Sequence, residues 1–454
     1  MRTQPMNAIA QAALLALGAT LASGAAAQSP ADLLKEIQAL KARVAELEGK
    51  QAQPGTAPAA AQWGMTPEQA GEFNRIAVKT EAMEDARDAS GLKLLKISGY
   101  MDPTFIYNKR QNRAGFQFLN KVDAVNGGDG YNYDNSYFGA AVIDFQKETD
   151  SGTKWRVTLA PNRGVGSVFD GSSPVHEASV SVPLTDLQTR FIAGQIPDWS
   201  GYEYLQPTLN KLITHNLLFD FTVPTAYVGA GMEITSGKWI VKSLLSNLNM
   251  SKRTSGNKAP TINYRVDYSK GEFEGFGFAG THGKWSNFAD PNGGESRADL
   301  LEVDAYFIRG DWTIQGQIGV GKQREAAITL GPNGELRDAK WWGASGLMAY
   351  KFTPRIEGTT RLDYVNNKKN GGGLLGYTVA DNRNGIGPDP AGDPEIGANR
   401  TALTLGMSWL FNLNTSFKAE YRIDRANLPV FLDVKSGTNS KTNQLFGASV
   451  LVSF

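Results

Sequence analysis

Residues able to make or break bonds are sparse in this chain of 454 residues. Its three histidines, His176, His215 and His282, lie on separate segments, and it has no cysteine. No thiol nucleophile, disulfide framework or cysteine metal site is therefore available. No Gly-x-Ser-x-Gly elbow or metal-ligand spacing surrounds the histidines. The glycine-rich NGGDG and DPNGG stretches lack a full calcium-loop spacing and read as turns. The expectation is no enzyme, no cofactor and no bound metal. What does recur is charge at every second position. In SFKAEYRID, Lys418, Glu420, Arg422 and Asp424 alternate with Phe417, Ala419, Tyr421 and Ile423. TINYRVDY sets Asn263, Arg265 and Asp267 against Ile262, Tyr264, Val266 and Tyr268, and LLEVDAYF sets Glu302 and Asp304 against Leu301, Val303, Ala305 and Phe307. Lys154, Arg156, Arg361 and Asp363 fall on the same ionic face of their own segments. The chemistry such residues permit is solvation and charge selection along a surface that is ionic on one side and apolar on the other.

The elements presenting those residues are strands, because the period is two from residue 94 onward. A soluble sandwich also alternates, so the connections have to decide the architecture. Sixteen strands are predicted to begin near residues 94, 135, 153, 175, 189, 225, 239, 260, 272, 299, 313, 339, 356, 399, 415 and 442. The even-to-odd junctions are short: KETDSGT, TDLQ, SGK, SKGE, RGD, TPR and NLN. The odd-to-even junctions are long, polar and glycine-rich, beginning with NKRQNRAGFQFLNKVDAVNGGDGYNYD after the first strand. Alternating short and long connections around an even number of strands predict an all-β fold, a 16-stranded antiparallel transmembrane β-barrel in an outer membrane. A closed sheet gives every backbone amide a partner within hydrocarbon and leaves no edge. Tyr107, Tyr137, Trp155, Trp239, Trp312, Tyr350 and Trp409 are candidates for interfacial girdles. In the terminal QLFGASVLVSF, Phe446, Ala448, Val450, Val452 and Phe454 would face lipid while Gly447, Ser449 and Ser453 face inward.

The amino end has a different character. Residues 1–27 read as a secretory signal peptide, with Arg2 ahead of an alanine-rich apolar run and Ala25-Ala26-Ala27 at the cleavage site. Residues 28–50 carry a heptad seam of Leu33, Ile37, Leu40, Val44 and Leu47, which predicts self-association. Residues 51–65 are a linker rich in Ala, Pro and Gln, and residues 66–93 form a helix opened by Thr66 and Pro67, either periplasmic or tucked into a larger body. Residues 94–454 are the barrel. Lys and Arg total 46 against 45 Asp and Glu, which gives no argument for nucleic acid as a partner.

A heptad segment behind a signal peptide, a sixteen-strand pattern and a long insert after the fifth strand resemble the outer-membrane porin superfamily. The layout is similar to the polyphosphate- and phosphate-selective porins. LLKISGYMDPTFIYN and GYEYLQPTLNKLITHNLLFDF also resemble an uncharacterised Gram-negative porin-like family with an N-terminal coiled coil. The resemblance implies a Gram-negative outer-membrane channel for small hydrophilic or ionic solutes, embedded in outer-membrane lipid and homotrimeric. It further implies that Phe454 acts as an assembly signal read by the barrel-assembly machinery. In such porins the third external loop folds into the lumen, and here that loop would be residues 197–224. The loop is too apolar to lie in water and needs a covering surface. Tyr202, Tyr204, Asn210, Lys211 and His215 are its candidate pore-lining groups. Phosphate-selective relatives rely on clustered Arg and Lys, whereas this loop has one Lys and one His beside Asp198, Glu203 and Asp220, which speaks against phosphate selectivity. Lys154, Arg156, Arg265, Arg361, Lys418, Arg422, Asp267, Glu302, Asp304, Asp363, Glu420 and Asp424 would make a mixed-charge pore wall supporting a transverse field. The competing reading is a structural barrel tethered to the cell wall or oligomerised by its coiled coil, without significant conductance.

Overall fold

A computed structural model describes residues 66–119, 138–161, 174–248, 260–269, 273–287, 289–290 and 294–454. The predicted signal peptide, heptad seam and linker lie outside the described residues, as does Tyr137. The chain divides into two compact units, Met1–Ser90 and Gly91–Phe454.

Within the first unit, helix α1 spans Pro67–Ala89. Thr66 starts it through a reciprocal capping box: its Oγ1 accepts from the Gln69 N–H at 3.2 Å, and its own N–H donates to Gln69 Oε1 at 2.9 Å. Phe73, Ile76 and Met83 along the helix are all exposed.

The second unit is a closed barrel of sixteen antiparallel strands. Strand β1 runs in two segments, Leu95–Met101 and Thr104–Asn108, and β2 in two, Arg113–Gln117 and Ala141–Glu148. The next six are β3 (Lys154–Leu159), β4 (Val175–Pro183), β5 (Thr189–Pro197), β6 (Ala226–Ser236), β7 (Trp239–Leu248) and β8 (Thr261–Ser269). The last eight are β9 (Glu274–Ser286), β10 (Glu295–Arg309), β11 (Trp312–Gln323), β12 (Ala339–Thr353), β13 (Ile356–Asn366), β14 (Arg400–Asn412), β15 (Thr415–Ala426) and β16 (Thr442–Ser453). Each pairs with its sequence neighbours, and β16 closes onto β1 through Tyr100↔Ser453, Met101↔Val452 and Thr104↔Ser449. A helical turn, α2 (Leu217–Phe221), interrupts the β5–β6 connection, and a small hairpin of Phe431–Asp433 with Thr438–Ser440 lies in the last loop.

The second strand corrects the expectation. Rather than starting near residue 135 after a long loop, it starts at Arg113, directly after a tight turn in which Asn112 takes φ 47°. This strand is interrupted between Gln117 and Ala141. Pro103 has no N–H to donate to the sheet, and β1 breaks at Asp102 and Pro103. At that break the Asp102 carboxylate accepts the N–H groups of Gly139 at 3.0 Å and Ala140 at 2.6 Å, fixing the point where β2 resumes.

Alternation sorts the side chains as the pattern predicts. Phe417 and Tyr421 on β15 are outward and exposed, while Glu420, Arg422 and Asp424 are buried inside. Outward aromatics form two levels. Trp239 with Tyr268, Trp312 with Tyr350, and Trp409 with Phe417 sit at the turn end, at ring separations of 4.7, 4.6 and 5.5 Å. Trp342 with Tyr364 and Tyr264 with Phe278 sit nearer the loop end. These are the places where an amphipathic ring meets the edge of a hydrocarbon band. Phe454 exchanges backbone hydrogen bonds with Gly99 at 3.0 and 3.1 Å. Its ring covers Gly99, where an added Cβ would stand 2.6 Å from Phe454 Cζ.

Candidate functional site

The β5–β6 connection, residues 198–225, folds into the barrel and lies on the inner wall; it is called the inner loop below. Small wall residues make the seat. A Cβ at Gly406 would meet Leu212 Cδ2 at 2.3 Å, one at Gly343 would meet Leu218 Cδ1 at 3.0 Å, and one at Gly447 would meet Ile213 Cδ1 at 3.2 Å. Glycine is required at these places because the loop's leucines and isoleucine approach the sheet backbone directly. Leu217, Leu218 and Phe221 of α2 join Ile192 on β5, Leu244 on β7, Trp341 on β12 and Val365 on β13 in one buried apolar cluster. This is what covers a loop too greasy for water: the loop is the core of the barrel.

The turns of the loop are held by charge. Arg361 on β13 has no exposed surface; its Nη1 donates to the Thr214 carbonyl and Glu203 Oε1, both at 2.7 Å, and its Nη2 to the His215 carbonyl at 2.8 Å. Arg422 on β15, equally buried, donates from Nη1 to the same His215 carbonyl at 2.8 Å and to Thr214 Oγ1 at 3.1 Å. From the same strand, Glu420 Oε2 accepts the backbone N–H groups of Ile213 at 2.7 Å and Thr214 at 3.0 Å. Asp363 and Asp424 lie 3.2 and 3.1 Å from their arginines. A buried charge is tolerated when paired and fully hydrogen-bonded, and here the partners are loop backbone as much as carboxylates. Further along, Lys418 Nζ donates to the carbonyls of Pro207 at 2.6 Å and Asn210 at 2.7 Å. Arg265 Nη1 donates to the Trp199 carbonyl at 2.6 Å while pairing with Asp304 at 2.8 Å.

The five loop residues singled out from sequence take different positions. Tyr202 is buried, with its hydroxyl 2.6 Å from Ser345 Oγ, and His215 is buried with its ring stacked on Phe219 at 4.2 Å. Tyr202 thus reaches the wall, whereas His215 is enclosed within the loop, its Nε2 beside Asn210 and the Tyr204 carbonyl. Asn210 braces the loop through the Tyr204 carbonyl and His215 Nε2. Tyr204 is about half exposed, and Lys211, 30% exposed, is 2.8 Å from Glu357 Oε2 on β13. Asp198 at the loop's base accepts from the Tyr227 hydroxyl and the Ser200 N–H; burial pushes its carboxyl up to about 6.

The wall charges also divide. Arg361, Arg422, Asp363, Asp424, Glu420 and Lys418 hold or face the loop; Glu302, also buried, accepts from Gln317. Arg265 and Asp304 lie at the loop's edge, with Asp267 partly open beside them. Lys154 and Arg156 stand apart on β3. Arg156 is 2.9 Å from Asp144 and 3.2 Å from Glu177, and Lys154, 54% exposed, is 3.6 Å from Glu148. A cavity of about 260 Å³ opens there, against the turn end of β1–β4. Sequence reasoning missed Glu203, Thr214 and Glu357 as anchors, and Lys96 and Gln146 on the open wall. The alternation gave a signal for the wall residues. Nothing local marks Thr214 or Glu203 as anchors, since their wall partners Glu420 and Arg361 lie more than a hundred residues away.

Comparison with solved structures shows the fold. The outer-membrane channel DcaP of Acinetobacter baumannii superposes with a TM-score of 0.50 at 10% identity, over 79% of this chain and 97% of that one. An anion-selective porin from Comamonas acidovorans gives 0.49 at 12% identity, over 79% and 99%. OmpT, an outer membrane protein of Vibrio cholerae, gives 0.48 at 12%, over 79% and 97%. No curated protein matches the sequence. Residues 4–454 match the profile of a family described as protein of unknown function, DUF3138.

Proposed function

The chain belongs to the DUF3138 family, and we propose that it is an outer-membrane porin, a water-filled channel for diffusion of small polar or ionic solutes, narrowed by its inner loop. The observation that carries this reading is the partition of the bore. The inner loop packs on the wall from β5–β7 round to β16 and touches β1 at Ile106, while the turn end of β1–β4 lies around a cavity of about 260 Å³ with solvated lysines. An apolar outer skin with a partly wet interior is what a barrel needs to pass polar solutes through hydrocarbon. Tyr204 and Lys211 are the loop groups proposed to border the narrowest point, since they keep exposed surface. The remaining parts of the proposal are export by a signal peptide, trimerisation aided by the heptad seam, and recognition of Phe454 by barrel-assembly machinery. In a planar bilayer the purified protein should give small, discrete conductance steps. Lys211→Gln should shift the reversal potential under a salt gradient toward cations; an unchanged potential removes Lys211 from the constriction.

A second reading has one observation in its favour. The buried apolar cluster joins β5 and β7 to β12 and β13 through α2, which closes part of the bore to water. A structural barrel, tethered or oligomerised by its N-terminal segment, would need no more. Stable insertion without any conductance would decide for it.

A further inference from the structure

The open wall has an organisation that a general diffusion pore does not require. We propose that the turn end of β1–β4 is a binding subsite for small hydroxylated carboxylates, with Lys96, Arg156 and Lys154 receiving the carboxylate; this rests on the channel reading and names its solute class.

Three inward rows are in register there. Deepest is Ser98, Asp144, Thr158 and Glu177, then Lys96, Gln146, Arg156 and Ser179, then Glu148, Lys154 and Ser181 nearest the turns. Lys96 and Arg156 are two strands apart on one level. Adjacent strands lie about 4.8 Å apart, so their Cα atoms are separated by about 10 Å, a gap that both long side chains can reach across to one carboxylate between them.

Charge separates the candidate ligands. Arg156 meets Asp144 through Nε at 2.9 Å and Glu177 through Nη1 at 3.2 Å, and its Nη2 has no protein partner among the described residues. Lys96 has no ion-pair partner among the described residues. The Lys154–Glu148 pair, at 3.6 Å with both side chains about half exposed, is weak enough for a ligand to displace. Lys96, Lys147, Lys154 and Arg156 around the cavity, set against Glu148, Glu177 and the Asp144 that pairs with Arg156, leave an excess of one positive charge, four against three. The Lys147 ammonium donates to the Gly91 carbonyl and keeps its charge. A single carboxylate fits that excess, whereas a doubly charged phosphate brings a second charge toward Glu148 and Glu177. Gln146 and Ser179 donate to Asp144 and Glu177, and Ser181 Oγ accepts from Arg190, which leaves the Gln146 amide oxygen, the Ser179 lone pairs and the Ser181 proton for hydroxyl groups. The cavity suits a solute of about the size of a hexose acid.

Calorimetric titration of the detergent-solubilised full-length protein with gluconate, glucose and inorganic phosphate tests this without requiring conductance. Gluconate should bind, and Lys96→Gln should weaken it by about fivefold, the loss of one charge-assisted contact. Lys154→Gln should weaken it less. Lys340→Gln, an exposed lysine on the outer face of β12, should leave it unchanged. Lys96 is exposed, so its variant should keep the heat-modifiable migration of a folded barrel. Equal binding of glucose, tighter binding of phosphate, or gluconate binding indifferent to Lys96 would each overturn the subsite. Conduction without gluconate binding would sink the subsite and leave the channel standing; Lys96-dependent binding in a protein that never conducts would do the reverse.

Discussion

On β13 and β15, Arg361 and Arg422 have no exposed surface and direct their donors at the carbonyls of Thr214 and His215. On β1 and β3, Lys96 and Lys154 occupy the same inward parity of their strands and stand in solvent. What separates them is a loop. Wherever the inner loop lies on the wall, charge is converted from a solvated lining into an anchor, and small residues such as Gly406 and Gly447 become seats for aliphatic side chains. On the open wall Lys96 and Lys154 keep their water and can meet a solute, while Asp144 and Glu177 behind them are buried. A strand's alternation specifies which side chains enter the bore, and the loop decides what they do there.

The comparison is broken most directly by releasing the loop. Arg361→Leu together with Arg422→Leu removes the donors to both carbonyls, leaves Glu203 and Asp363 buried without their cation and leaves Asp424 with Arg400 alone. Breaking a buried charge network from one side costs about 3–5 kcal/mol, so the barrel should melt at distinctly lower temperature and single-channel conductance should rise severalfold. Unchanged conductance with normal insertion would show that the loop does not limit flow. A smaller disturbance comes from the apolar contacts. Gly406→Leu places a side chain where Leu212 now lies, and overpacking of this kind costs about 1–3 kcal/mol; protease cleavage within residues 198–225 of the folded protein should become faster.

Asp198 sharpens the contrast through pH. Its carboxyl is raised to about 6 chiefly by burial, so the folded state holds the proton more tightly than the unfolded chain does. The resulting stabilisation is full below about pH 4, the ordinary carboxylate value. It is lost as pH rises through about 6. The wild-type melting temperature should therefore fall between pH 5 and pH 8 by more than that of Asp198→Asn; parallel curves would contradict the burial of this group. The smallest effect belongs to the open wall. Lys154→Gln should change stability by less than about 1 kcal/mol, because its pair with Glu148 is half exposed. A larger loss in chemical denaturation would mean that this wall too is structural.

The strand count and the inward-outward assignment were legible because a period of two and short turns such as RGD and TPR are local properties of the chain. Local signals failed at β2. GFQF is a short alternating run inside a polar stretch, and its role as a strand depends on pairing with β1, as in Phe105↔Phe116. The Asp102 carboxylate that reconnects the wall acts on residues 37 and 38 positions later. The inner loop was legible as a segment needing cover, from its Leu, Ile and Phe content, but its contacts were not.

The sequence by itself determined a sixteen-stranded closed sheet with an apolar skin, because backbone hydrogen bonding and side-chain alternation leave that chain no other way to satisfy hydrocarbon outside and water within. Only the tertiary structure decided which inward charges stay solvated. That depends on where residues 198–225 come to rest, and so on contacts such as Glu203 with Arg361 across 158 positions, which no local pattern encodes.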